Sequence, residues 1–267
     1  MFEKSKSVLI IIFLFGFLFI GCETTYYSMS TAMQNPDNVK VLNLNYTFLR
    51  EVPPEIVKFK NLEKLILSKN RITEIPPQIS ELKNLKVLKL SSNKIQSLPA
   101  EIGELRNLTK LSIKHNKLKH LPPEIGKLEN LKSLYLEYNK LEDLPKEIGS
   151  LKNLQYLYLN ENHLTSLPHQ IGELSKIRHL YIGRNYLDSL PEEIWKLTNL
   201  TELDISSGPM LTISNEIINL RLLEYLYVHE CFILPYSINN VNPRLRVVIV
   251  SPNVIYPYKI FELIYLN

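Results

Sequence analysis

His229 and Cys231 stand two residues apart, the one place where an imidazole base and a thiol nucleophile are close along the chain. Nucleophilic catalysis needs more than such a pair, because the base must itself be oriented by a third polar group. The other five histidines, His115, His120, His163, His169 and His179, are scattered singly. No HExxH, CxxC, GxSxG or phosphate-loop pattern accompanies them. Only two Cys occur, too few for a disulfide framework. Catalysis, metal binding and a cofactor are therefore not expected, and the chemistry worth following is recognition.

Cys22 offers a different chemistry. Lys4 and Lys6 form a short basic start, and Val8 to Ile20 is an almost purely apolar run of about 13 residues that leads into Gly21-Cys22. A membrane-spanning helix needs roughly 20 residues, so the run reads as the apolar core of a signal peptide. The sequence Phe19-Ile20-Gly21-Cys22 resembles a bacterial lipoprotein signal, with Phe19 where Leu is commoner. That resemblance implies cleavage after residue 21, acylation of Cys22 and a lipid-anchored protein of the bacterial envelope, at the outer membrane or cell surface. The formal net charge of +4 comes from 31 basic and 27 acidic residues, too small and too mixed an excess to suggest nucleic acid.

Everything after residue 38 is governed by one period. The pattern LxxLxLxxNxxxxxxPxxIxxLxN returns every 23 residues, its first position at Val39, Leu62, Leu85, Leu108, Leu131, Leu154, Ile177, Leu200 and Leu223. A tenth start at Leu245 comes one residue early. The ninth position is Asn70, Asn93, Asn116, Asn139, Asn162 and Asn185 in six consecutive units. A fixed period of this length marks a solenoid. The pattern resembles the bacterial leucine-rich-repeat family, of the LPxEIGxLxNL type seen at Leu121 to Leu131 and in spirochaetal lipoproteins, across residues 39–267. The expected fold is an α/β horseshoe with a parallel concave sheet and short helical or 3-10 convex segments. It divides as signal peptide 1–21, tether and N-terminal cap 22–38, and about ten repeats over 39–267.

Within each unit the residue types carry separate tasks. Side chains alternate faces along LxLxx, so Leu134 and Leu136 point inward and Tyr135 outward. An inward Asn at the ninth position can donate and accept, which lets a ladder of Asn satisfy backbone groups of adjoining turns. Ile125 and Leu128, three apart, suit a short helical turn with one buried face. Toward the C-terminus Gly208 replaces the ladder Asn, Cys231 replaces it one unit later, and Ser214 replaces the recurrent Pro, as expected of capping repeats or of a special site at Gly208-Pro209. Cys is a recognised substitute for this Asn in leucine-rich repeats, so Cys231 reads as structural. Asn45-Tyr-Thr47, Asn107-Leu-Thr109 and Asn199-Leu-Thr201 form glycosylation sequons, the last two as by-products of the repeat.

The third, fifth and seventh positions are left free on the concave side. Lys64, Lys89, Lys110 and Lys114 fill several of them early, Tyr135, Tyr156, Tyr158, His179 and Tyr181 in the middle, and Glu202 and Asp204 late. Tyrosine brings rigid area and a hydroxyl, a combination enriched at binding hot spots. The expectation is a non-catalytic, lipid-anchored scaffold that recognises a protein or glycan through Tyr135, Tyr156, Tyr158, Tyr181, Lys89, Lys110, Lys114 and His179. A structural envelope protein is the alternative, and an effector-type enzyme a more distant one, since the repeats leave no evident room for a catalytic domain.

Overall fold

The computed structural model describes residues 24–206, 212–229 and 234–250, together with the backbone of a final strand at Leu263–Tyr265. The signal segment, Cys22, Gly208-Pro209 and Cys231 lie outside the described residues.

In the first eight repeats, the third to fifth positions become a three-residue strand. The strands are β1 (Thr25–Tyr26), β2 (Val41–Asn43), β3 (Lys64–Ile66), β4 (Val87–Lys89), β5 (Lys110–Ser112), β6 (Ser133–Tyr135), β7 (Tyr156–Tyr158), β8 (His179–Tyr181), β9 (Glu202–Asp204), β10 (Tyr225–His229), β11 (Arg246–Val250) and β12 (Leu263–Tyr265). They form one sheet in chain order, parallel throughout except that β12 runs antiparallel to β11. The sheet thus exceeds the ten expected strands by one at each end. At the N-terminal edge, β1 and a short helix, Met29–Ala32, precede the first unit, the helix capped by the Ser28 hydroxyl accepting from Thr31 N–H at 3.2 Å. At the C-terminal edge β12 pairs where another parallel strand would otherwise be needed.

Register follows the repeat without a slip, so Lys64, Val87, Lys110, Ser133, Tyr156 and His179 fall in one column across β3 to β8. The inward residues of every unit, such as Leu131, Leu134, Leu136, Leu141, Ile148 and Leu151, have no exposed surface and form one continuous core. Convex returns are five-residue 3-10 turns, for example Pro123–Lys127 and Lys146–Ser150, begun by the Pro whose fixed φ starts the turn.

The ninth-position Asn residues form the expected ladder. Asn116 Nδ2 donates to Leu90 O at 3.1 Å and Ile113 O at 2.9 Å, and its Oδ1 accepts from Ile95 N–H at 3.0 Å. Asn70, Asn93, Asn139, Asn162 and Asn185 each donate to the same two carbonyl positions and accept from backbone N–H of the unit before. The residue before each Asn, Lys69, Ser92, His115, Tyr138, Glu161 and Arg184, has φ between 50° and 59°. That left-handed step costs a non-Gly residue on the order of 1–2 kcal/mol, and it turns the chain at the point where each Asn makes its three bonds.

A second ladder runs along the opposite flank. Asn61, Asn84, Asn107, Asn130, Asn153 and Asn199, which close their units, donate Nδ2 to the carbonyl 24 residues earlier at 2.7–2.9 Å. Asn107 and Asn199, two of the three sequon residues, are therefore tied to the backbone of the neighbouring repeat.

Candidate ligand-binding face

Because the fifth position of every unit stands in one column, β6, β7 and β8 bring Tyr135, Tyr158 and Tyr181 side by side. Their rings stack: Tyr135 on Tyr158 at 5.0 Å between centroids and 16° between planes, Tyr158 on Tyr181 at 4.8 Å and 12°. In the third column Tyr156 meets His179 edge-on at 4.9 Å. Tyr135, Tyr156, Tyr158 and His179 are half-buried, whereas Tyr181 is only 5% exposed. Its hydroxyl donates to the Glu202 carboxylate, so Tyr181 closes the end of the stack more than it offers surface. A face-to-face stack consumes the ring faces and leaves edges and hydroxyls toward solvent. Ring edges carry the positive lobe of the aromatic quadrupole and pair with carbonyls, carboxylates and the faces of other rings.

The late acidic positions behave differently from the exposed step that the sequence suggests. Asp204 is fully buried. Asn160 Nδ2 donates to its Oδ2 at 2.6 Å, and Ser206 donates N–H at 3.0 Å and Oγ–H at 2.5 Å to its Oδ1. The Asn160 bond reaches past a whole repeat because the residue between, Gly183, has no side chain. A β-carbon there would stand 2.5 Å from both Asp204 Oδ1 and Ser206 Oγ. The Tyr181 and Tyr227 rings approach to 5.9 Å from the strands on either side of Asp204, and burial drives the Tyr227 hydroxyl pKa up to about 12. Glu202 accepts from Tyr181 and lies 3.6 Å from His179 Nδ1. Burial lowers the His179 pKa and Arg178 lowers it further, partly offset by Glu202. The sequence-based reading missed this network because Asn160, Gly183 and Ser206 sit at nominally free seventh positions. Its one trace there is a Gly in the column.

The basic end stays open. Lys64, Lys89 and Lys110 are half-buried and Lys114 is exposed. Lys110 Nζ lies over the Tyr135 ring at 4.8 Å, joining the cations to the stack. Burial depresses the Lys89 pKa, followed by repulsion from Lys110, Lys64 and Lys114. Lys114 lies 3.7 Å from Glu137, whose carboxyl pKa is raised by burial despite that contact.

Histidines do not converge. His115 stacks on Tyr138 at 4.2 Å and 9°, His120 faces Asp143 at 3.1 Å, and His169 faces Glu193 at 2.7 Å. Among the described residues, no three His, Cys, Asp or Glu side chains form a cluster that could hold a metal ion.

The leucine rich repeat family pattern matches residues 60–118, 106–164 and 152–210. This chain belongs to the leucine-rich-repeat family. A leucine-rich-repeat protein of Leptospira interrogans is similar in structure, with 36% identity and a TM-score of 0.78 over 88% of this chain and 61% of that one. PEPR1 in its complex with AtPEP1 shares 26% identity and a TM-score of 0.70, over 80% of this chain and 32% of that one. The plant peptide hormone receptor RGFR1, in complex with RGF2, shares 27% identity and a TM-score of 0.56, over 75% of this chain and 38% of that one. This leucine-rich-repeat chain thus spans under two thirds of each relative's length. No curated protein matches it. Bacterial leucine-rich-repeat membership and the parallel solenoid agree with the reading from sequence; the family's fold is typically a scaffold for binding.

Proposed function

We propose that this protein is a binding scaffold that holds a segment of another protein across its concave face, with Tyr135, Tyr156 and Tyr158 as the contact surface. The stack of Tyr135, Tyr158 and Tyr181 carries this reading. A sugar ring packs its C–H face onto an aromatic face, and here those faces are already occupied by neighbouring tyrosines. Exposed edges and hydroxyls suit peptide groups and the side chains of a protein partner instead. The likeness to PEPR1, solved with AtPEP1, and to the plant peptide hormone receptor RGFR1, solved with RGF2, supports the same class of partner. We further propose that a lipid on Cys22 holds the scaffold at the bacterial envelope, on the strength of the basic start, the short apolar run and the Gly21-Cys22 junction.

Pull-down of partners from intact cells tests the binding role. Replacing Tyr156 and Tyr158 together by Ala should abolish capture while leaving the melting transition cooperative. Lys127→Glu, on the convex side, should leave capture unchanged. Loss of capture in the convex variant with retention in the tyrosine variant would refute the concave-face reading.

A further inference from the structure

Several lysines off the concave face are paired with carboxylates of adjoining repeats: Lys60 with Glu81 at 2.9 Å, Lys86 with Glu63 at 2.6 Å, Lys119 with Glu142 at 3.4 Å and Lys152 with Glu173 at 2.7 Å. Lys64, Lys89 and Lys110 instead gather on the adjacent strands β3, β4 and β5. Among the described residues none of the three has a carboxylate within ion-pair distance. The acidic groups of the same face are committed internally, Asp204 to Asn160 and Ser206, Glu202 to Tyr181 and His179, and Glu137 beside Lys114. The charges of the face are therefore segregated, with cations gathered over β3 to β5 and Glu202 and Asp204 held on β9.

The unpaired cations also surround donors. Lys89 pairs in register with Ser112, and Lys110 and Lys114 stand two residues before and after Ser112 along the chain. The Ser112 and Ser91 hydroxyls lie 2.8 Å apart, with Ser112 only 6% exposed. Lys89 is partly desolvated and repelled by three neighbours, an arrangement that an incoming anion would relieve.

We propose that Lys64, Lys89 and Lys110, with the Ser91 and Ser112 hydroxyls, form a carboxylate-binding subsite, so that the ligand is an acidic peptide segment lying across the strands. Its Asp or Glu side chains sit over β3 to β5 and its apolar or aromatic side chains over β6 to β8. This rests on the concave-face reading above and adds polarity to it. From β4 to β7 is three strand spacings, about 14 Å. An extended peptide covers that with roughly four residues, which sets the distance between its acidic and aromatic groups.

A labelled peptide of three Glu, a Gly-Ser-Gly spacer and two Phe is the probe, with a Lys-for-Glu peptide and a heparin-derived sulfated oligosaccharide as comparisons. The acidic peptide should bind saturably, and the Lys peptide should not. Lys89→Ala with Lys110→Ala should weaken binding at least about tenfold, and Lys89→Arg with Lys110→Arg should retain it, all with unchanged melting. Raising salt from about 0.1 M to about 1 M, which shortens screening from about 10 Å to about 3 Å, should weaken native binding and barely affect the Ala variant. Failure of the native chain to bind the acidic peptide would overturn the proposal. So would binding indifferent to the lysines, or lysine-dependent binding of the oligosaccharide alone, which would assign the subsite to an anionic glycan. If the tyrosine double variant loses a cellular partner and the lysine variant keeps it, only the subsite falls; if both keep it, the concave-face reading falls as well.

Discussion

A β-carbon on Gly126 would stand 2.6 Å from the carbonyl oxygen of Glu147 in the next convex turn. Gly103, Gly149 and Gly172 meet the following turn equally closely, at 2.4–2.5 Å from its backbone oxygen, so four successive convex turns pack backbone against backbone. Gly126→Ala should force those turns apart and cost about 1–3 kcal/mol, read as a lower urea midpoint with unchanged slope. Ser80→Ala, at the same place in an earlier unit, should be near neutral.

The two Asn ladders should separate by burial. Asn116→Ala or Asn139→Ala leaves two carbonyls and one N–H of the interior without partners and should cost about 1–3 kcal/mol. Asn130→Ala removes one exposed bond, to Arg106 O, and should cost under about 1 kcal/mol. Leu134→Ala, from a fully buried site, should cost about 2–5 kcal/mol, with Lys132→Ala as an exposed reference. Equal melting of all five would refute these assignments.

Glu137 gives a pH signature. Burial raises its pKa above the ordinary 4.5, and one carboxylate oxygen is buried with no hydrogen-bond partner. The folded state thus binds this proton more tightly than the unfolded chain, and stability falls as pH rises through the raised pKa. Glu137→Gln should melt higher than the native protein at pH 7, with the advantage shrinking toward about pH 4. His115 acts with the opposite sign: burial and Lys114 lower its pKa, so its contribution is present above the ordinary value of 6.5 and is lost as pH falls from there through the lowered value.

Acylation at Cys22 is tested by partitioning. Each buried methylene of an acyl chain contributes about 0.8 kcal/mol, so the mature protein should enter the detergent phase of Triton X-114. Cys22→Ser should leave it in the aqueous phase; identical partitioning of the two would sink the lipid anchor.

The periodic part of this structure was legible in advance because each unit repeats the same burial problem. Leu134 and Leu136 inward, Tyr135 outward, and Asn116 bonded to two turns all follow from a residue's place in the frame. The columns of Tyr135, Tyr158 and Tyr181 follow as well, since register is fixed by the period. What escaped the sequence depends on pairs that the frame does not relate. The burial of Asp204 requires a missing side chain at Gly183 and a donor at Asn160, two repeats away. Likewise the recurrence of Asn130 and its equivalents was visible, but their bonds to carbonyls 24 residues back depend on how closely successive turns stack.

In a solenoid each repeat ordinarily touches only the one before and the one after, and such an array can fray unit by unit from either end. The bond from Asn160 to Asp204 skips a neighbour and fastens three repeats into a block that must open together. Fraying that begins at the C-terminal units would meet this block before it reached the tyrosine stack. The proposed contact surface would then persist through partial melting, because Tyr158 and Tyr181 stand in the repeats that this bond spans.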